Sequence, residues 1–396
     1  MKLSSRALQL QPSATLGVVN AAKALEKQGK NVISFGAGEP DFTSPPRALQ
    51  EAHNAIDQGK THYTPATGIP ELREAVRQYY AKRFSLEYAP GSIVIGAGAK
   101  PCLLEALACV MDPGDEAILL APAWVSYVEQ IRFLGGVPVV VDTGTTNFLP
   151  DMTVLEKKVT PKTKVLMLNS PCNPTGIVYS EEVLRNLGSF AQKHDLWILW
   201  DEIYERLVYG KAKYWNILQI LPELRERTIL INGVSKAYAM TGWRIGYALG
   251  PEELMKKVAS LQGHFTSNPC SIAQWAALGA ILHAEEDVLR MHDAFEKRRN
   301  RTVELLSDMP HISFPAPEGA FYVMVNIQQC LGKKHKETVL EDDNSFCTKL
   351  LEEELLATVP GTAFLAPGHL RISYANAMEE IEEGMRRFRK FLSEIH

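Results

Sequence analysis

Residues 165–201 read VLMLNSPCNPTGIVYSEEVLRNLGSFAQKHDLWILWD, and this stretch decides the fold. The run at 165–169 is apolar without alternation, as a strand covered on both faces must be. Ser170 to Gly176 is rich in turn-forming residues. Residues 181–194 then carry a helical pattern, and 196–200 form a second apolar run. Strand, crossover helix and strand in this order make a βαβ unit, which requires a parallel sheet.

Working outward, further strands are expected at 92–95, 117–120, 137–141, 228–232 and 245–248, with a helix at 101–111. Upstream, Leu72, Ala75, Val76 and Tyr79 share one stripe of a helix at 71–84, with Pro70 where a first-turn proline is tolerated. Downstream, Val288, Met291, Phe295, Thr302, Leu305 and Met309 recur at helical spacing, followed by strands at 321–325 and 370–374 and a charged helix from Met378. The fold class is therefore α/β. A large domain at 46–284 holds a mostly parallel central sheet, a smaller α+β domain occupies 285–396, and residues 1–45 pack on the smaller one.

Composition narrows the function. The chain has 396 residues, 46% of them hydrophobic and 22% charged, with a formal net charge of −4. That excludes a disordered chain and gives no electrostatic footprint for nucleic acid or a membrane surface. The six cysteines contain no Cys-x-x-Cys pair, so neither a zinc knuckle nor a disulfide framework is indicated. No stretch approaches the length of apolar run that spans a bilayer. A soluble, reducing, cytoplasmic setting is the expectation.

Several promising motifs fail. Gly59-Lys60-Thr61 ends like a P-loop, but the first glycine would fall at Asn54. Gly96-Ala-Gly98 opens a dinucleotide fingerprint, yet its third glycine position is Pro101. Gly233-Val-Ser235-Lys-Ala237 misses a nucleophile elbow by its last glycine, and no histidine pair has zinc-protease spacing.

What remains is a set of polar groups just past strand ends, the edge where open α/β sheets bind ligands. The strand at 165–169 leads to Asn173, that at 196–200 to Asp201 and Tyr204, and that at 228–232 to Ser235, Lys236 and then Arg244. The turn Gly98-Ala99-Lys100 opens a helix whose free N–H groups suit a phosphate monoester. An amine nucleophile, a phosphate cradle, an acid for a pyridine nitrogen, and Tyr and Asn donors for a phenolic oxygen are the parts that pyridoxal 5'-phosphate requires.

The run from Gly233 to Gly246, GVSKAYAMTGWRIG, resembles the lysine signature of class I/II aminotransferases. Asn173-Pro-Thr-Gly176, Asp201-Glu-Ile-Tyr204 and Arg371-Ile-Ser-Tyr374 resemble the same family's other blocks, in order. The resemblance covers nearly the whole chain. It is nearest to bacterial aspartate aminotransferases of the branch carrying Gly-Glu-Pro-Asp-Phe (here from Gly38) and Trp-Val-Ser-Tyr (here from Trp124). It implies a fold type I pyridoxal-phosphate transferase in which Lys236 carries the cofactor as a Schiff base and moves the substrate proton.

By the same resemblance, Asp201 keeps the pyridinium charged, Tyr204 and Asn173 hold the ring oxygen, and Trp124 stacks on the ring. Gly98, Ala99, Lys100, Ser235 and Arg244 bind the phosphate. Tyr63 reaches the partner subunit's phosphate, which implies a homodimer with shared active sites. Arg371 clamps the substrate α-carboxylate with help from Asn173 and Gly38, while Ser13 and Thr15 belong to a segment that closes over the site. Lys100 stands where the branch pairs a lysine with the distal carboxylate, so aspartate and 2-oxoglutarate are the expected amino-acid and 2-oxo-acid substrates. Gln11 replaces the basic residue associated with prephenate activity. Alternatives are another pyridoxal-phosphate reaction on this fold (aromatic, branched-chain or prephenate transamination, or carbon–sulfur β-elimination) and a non-catalytic ligand-binding domain.

Overall fold

The computed structural model describes residues 2–12 and 14–396. Seven strands form the principal sheet: β1 (Ile93–Gly96), β2 (Glu116–Ala121), β3 (Val137–Asp142), β4 (Thr163–Asn169), β5 (Trp197–Asp201), β6 (Thr228–Gly233) and β7 (Gly246–Leu249). Each expected strand is present. Their order across the sheet is β1-β7-β6-β5-β4-β2-β3. β7 runs antiparallel to both neighbours, and every other pairing is parallel.

Strand alternation sorts the apolar residues onto two faces. Leu166, Leu168, Ile198, Trp200 and Leu230 lie in one core. Val165, Met167, Leu199, Ile229 and Ile231 lie in another on the opposite face. Each fully buried Leu or Ile contributes roughly 1.5–3 kcal/mol relative to exposure. Both faces are covered by helices, which explains why the strands read as unbroken apolar runs. The register sets Asn169 opposite Asp201 and Asp201 opposite Ile231, so the carboxyl ends of β4, β5 and β6 are level. On the helix Pro70–Phe84, Leu72, Ala75 and Val76 are buried as expected, but Tyr80 rather than Tyr79 completes the core stripe.

A second sheet contains β8 (Tyr322–Asn326), β9 (Val359–Pro360) and β10 (His369–Ser373), antiparallel in the order β9-β10-β8. Helices Glu285–Ser307, Asp343–Glu354 and Met378–Ser393 accompany it. Phe295, Phe321, Phe346, Phe388 and Ile372 are in its core. The helix Asp343–Glu354 was not expected, although a capping box of Asp342 and Ser345 marks its start.

The N-terminal segment divides between the two bodies. Ile33–Ser34 pairs parallel with Leu356–Ala357, next to the smaller sheet. Earlier, the Gln11 backbone N–H donates to Glu129 at 3.1 Å, on the helix Val125–Phe133 of the larger body.

Candidate active site

Most of the groups singled out converge at the carboxyl edge of the principal sheet. Asp201 ends β5 and is 4% exposed. Its Oδ2 accepts from the Tyr127 hydroxyl at 2.7 Å and its Oδ1 from the Ile203 N–H at 3.2 Å. Burial pushes this carboxyl up to about 6, while Tyr127, Ile203 and the charge of Lys236 pull it down.

Lys236 follows β6 and is half-buried; its Nζ donates to the Gly38 carbonyl at 2.5 Å. Burial brings it down to about 8, with Arg244 and Arg371 acting the same way and Glu39 and Asp201 opposing them. An amine in that range can take up and release a proton near neutral pH. Gly38 is held there by its neighbours. The Thr241 hydroxyl donates to Glu39 at 2.8 Å, and Arg298 grips Asp41 through two bonds of 2.6 and 2.8 Å.

Gly98 sits at φ +104° as the N-cap of the helix Ala99–Val110. The first N–H groups of that helix have no intrahelical acceptor, so they face any anion at its start. A Cβ on Gly98 would lie 2.4 Å from Arg244 Nη2. Only glycine lets that guanidinium reach the helix start. A Cβ on Gly246 would fall 2.2 Å from the Ala99 nitrogen, so the entry to β7 is equally bare. Arg244 also donates to the Thr241 carbonyl at 2.8 Å. Lys100 Nζ stands 4.8 Å from the Trp124 ring centre, and Trp124 meets Tyr127 edge-on at 5.4 Å. Ser235 is buried beside Lys236.

Arg371 comes from β10, on the other sheet, and is 2% exposed. Its Nη1 donates to Asn173 Oδ1 at 3.0 Å and its Nη2 to the Gly36 carbonyl at 2.8 Å, while Nε has no partner. Tyr322 and Phe364 lie against the guanidinium, 4.4 and 4.8 Å from their ring centres. Burial draws its pKa below the ordinary arginine value, as expected for a cation with no anion beside it. The Tyr204 hydroxyl pairs with the Tyr322 hydroxyl at 2.9 Å.

Tyr63 is 91% exposed. Thr15 lies at the start of the helix Ala14–Glu26, and Ser13 is outside the described residues. Conversely, sequence reasoning assigned no role to Tyr127, Tyr322 or Asn169. Tyr127 closes the Trp-Val-Ser-Tyr motif and Asn169 ends a predicted strand, so each had a local signal; Tyr322 had none beyond its place on a strand. Among the described residues, no group of His, Cys, Asp and Glu could hold a metal ion.

Residues 30–388 match the family model described as Aminotransferase class I and II. The chain belongs to that family. This aminotransferase is 42% identical over 393 residues to the aspartate aminotransferase of Geobacillus stearothermophilus, covering 99% of each chain. It is 43% identical to an aspartate/prephenate aminotransferase of Cereibacter sphaeroides, covering 98% of each. Among solved structures, the aspartate aminotransferase of Rhizobium meliloti superposes with a TM-score of 0.96 at 37% identity, over 100% of both chains. That of Thermus thermophilus with maleate superposes at 0.93 and 40% identity, over 99% of this chain and 100% of that one. The fold is that of a fold type I pyridoxal-phosphate enzyme.

The family's cofactor is pyridoxal 5'-phosphate, and the residues of the aminotransferase fit it. The position at Gly98 is kept free of a side chain beside Arg244 and a helix start, as a phosphate requires. A buried acid and an amine of lowered pKa stand at adjacent strand ends.

Proposed function

We propose that this aminotransferase moves the amino group between L-aspartate and 2-oxoglutarate, with Lys236, Asp201 and Tyr204 as its catalytic residues. Gly98, Ala99, the backbone N–H of Lys100, Ser235 and Arg244 would hold the phosphate of pyridoxal phosphate, and Trp124, Asn173 and Tyr204 its ring. When bound, that cofactor supplies an electron sink for negative charge developing at the substrate α-carbon. Lys236 Nζ would take the proton from the α-carbon of the donor and, in the reverse half of the reaction, deliver a proton to the α-carbon of the new amino acid; its pKa of about 8 suits both directions. Asp201 presents its carboxylate to the ring nitrogen, held in aim by Tyr127.

The observation that carries this reading is Arg371. It is a buried guanidinium whose Nε is unpartnered and whose hydrogen bonds, among the described residues, go to Asn173 and the Gly36 carbonyl and not to a carboxylate. A planar fork of that kind takes a carboxylate through two bonds and so fixes the substrate's orientation. The Cα–H bond is then held for cleavage in preference to the bond to the carboxylate. Lys100, also outside any ion pair among the described residues, is the cation for a second carboxylate, and this favours dicarboxylic substrates.

A second reading, transfer from aromatic amino acids, has in its favour only a cavity of about 740 Å³ that borders Lys100 and Trp124 but not Lys236, Asp201 or Arg371. Leu104, Val128, Phe133, Phe265 and Leu365 line it, as does Gln11. We further infer a homodimer in which Tyr63 completes the partner's site; its 91% exposure, with Leu49 and Ile56 exposed nearby in sequence, supports this. The division at 46–284 and 285–396, and a cytoplasmic location, belong to the same proposal. Among the described residues, no helix is long and apolar enough to cross a membrane.

The test is Lys236→Ala. Reconstituted with pyridoxal phosphate, it loses the pH-dependent absorbance of the native protein and all keto-acid production from a panel of amino acids. Retention of either would refute the assignment, and the native enzyme's ranking of aspartate against phenylalanine separates the two substrate readings.

A further inference from the structure

Asn169 closes β4 and is 7% exposed. Its side chain is engaged at both ends. Nδ2 donates to the Asp201 carbonyl at 2.9 Å, and Oδ1 accepts from the Asn173 N–H at 2.8 Å. The Asp201 carbonyl receives a second N–H, that of Ser170, at 3.3 Å. Asn173 in turn accepts from Arg371 at 3.0 Å. One amide thus anchors the backbone of the residue that faces the ring nitrogen and the backbone of the residue that steadies the carboxylate clamp.

The polarity of the two contacts dictates the residue type. One end meets a carbonyl and needs a donor; the other meets an N–H and needs an acceptor. Aspartate would set an oxygen against the Asp201 carbonyl. An apolar residue would leave a buried carbonyl and a buried N–H each short of a partner.

We propose that Asn169 is a positioning residue that couples the two halves of the site, so that the aim of Asp201 and the aim of Arg371 depend on one side chain. This rests on the reading of Asp201, Asn173 and Arg371 given above. Both ends of the Asn169 amide are committed to backbone atoms. It acts by holding the ends of β4 and β5 and the turn after β4 in one arrangement.

The experiment uses cofactor-loaded Asn169→Ala and Asn169→Asp, with rates expressed per bound pyridoxal phosphate so that a smaller folded fraction does not register. In Asn169→Ala, KM for aspartate rises about tenfold and kcat falls about tenfold, the scale of a lost buried hydrogen bond. Affinity of the apo-protein for pyridoxal phosphate, read by fluorescence titration, weakens by a similar factor. In Asn169→Asp, which alters one atom in size and adds a negative charge beside Asp201, the pH midpoint of the bound cofactor's absorbance moves upward by about half a unit or more. In an Asn173→Ala background, Asn169→Ala leaves KM within about twofold, because the route to Arg371 is already cut.

Loaded variants with native KM, native cofactor affinity and a native midpoint would overturn the coupling, whatever their Tm. If Asn169→Ala does not fold, Asn169→Asp decides alone by the same three readouts. Failure here is separable from failure of the underlying reading. An active Lys236→Ala removes that reading, whereas an inactive Lys236→Ala beside native-like Asn169 variants removes only the coupling.

Discussion

Glu105 offers a quantitative test of how the interior handles charge. It lies on the helix Ala99–Val110, is 1% exposed, and neither of its carboxylate oxygens has a hydrogen-bond partner. Burial pushes its carboxyl from 4.5 up to about 7. A carboxyl whose folded pKa lies above its unfolded one keeps its proton longer in the folded state, so stability falls as pH rises. Below about pH 4.5 both states are protonated and nothing is lost. The loss accumulates between there and about pH 7 and is complete above it. The gap corresponds to about 3 kcal/mol. Glu105→Gln carries no charge at any pH, so its stability relative to the native protein should improve by about that amount between pH 4.5 and pH 8. Urea unfolding of both proteins across this range, at one protein concentration, reads the difference directly. A difference that stays flat with pH would show that the Glu105 carboxylate is solvated or paired, and the reasoning would fall.

Three further outcomes are expected. Arg371→Leu removes the bonds to Asn173 and Gly36 as well as the clamp, so kcat/KM should fall about 100- to 1000-fold for every amino acid, the scale of breaking a buried charge pair; a loss confined to dicarboxylic substrates in steady-state assays would exchange the two clamps. Lys100→Ala should reduce kcat/KM for aspartate and glutamate about tenfold more than for alanine or phenylalanine, and a uniform loss would return Lys100 to the phosphate. Gly98→Ala forces a side chain into a conformation at φ +104° and against Arg244, so pyridoxal-phosphate affinity of the apo-protein should drop about 10- to 100-fold in a titration, with native affinity contradicting the cradle.

The principal sheet was legible because its strands are covered on both faces. Continuous runs such as Val165 to Leu168 have no polar alternation to mislead, and turn residues bound them sharply. The strand ends were legible for the same reason, since Asp201 is the first charge after an apolar run. What sequence could not show is what those ends touch. The partnership of Tyr204 with Tyr322 joins residues far apart in the chain, and no local pattern encodes it. Asn169 read as the end of a strand because both of its bonds go to backbone atoms, whose position depends on register. The two-residue pairing of Ile33–Ser34 with Leu356–Ala357 is too short to carry a period at all. Tyr63 shows the converse, a residue whose proposed work lies on another copy of the chain and which one chain leaves in solvent.

The guanidinium of Arg371 is carried by β10 while the amine of Lys236 follows β6, so the two stand on separate sheets. The molecule is in this respect a calliper. On the reading proposed above, one jaw would take a carboxylate and the other would work at the carbon bearing the amine. Because the carboxylate of a β-amino acid stands one methylene further from the carbon bearing its amine, two jaws set for an α-amino acid would sort substrates by chain length before side-chain chemistry is consulted.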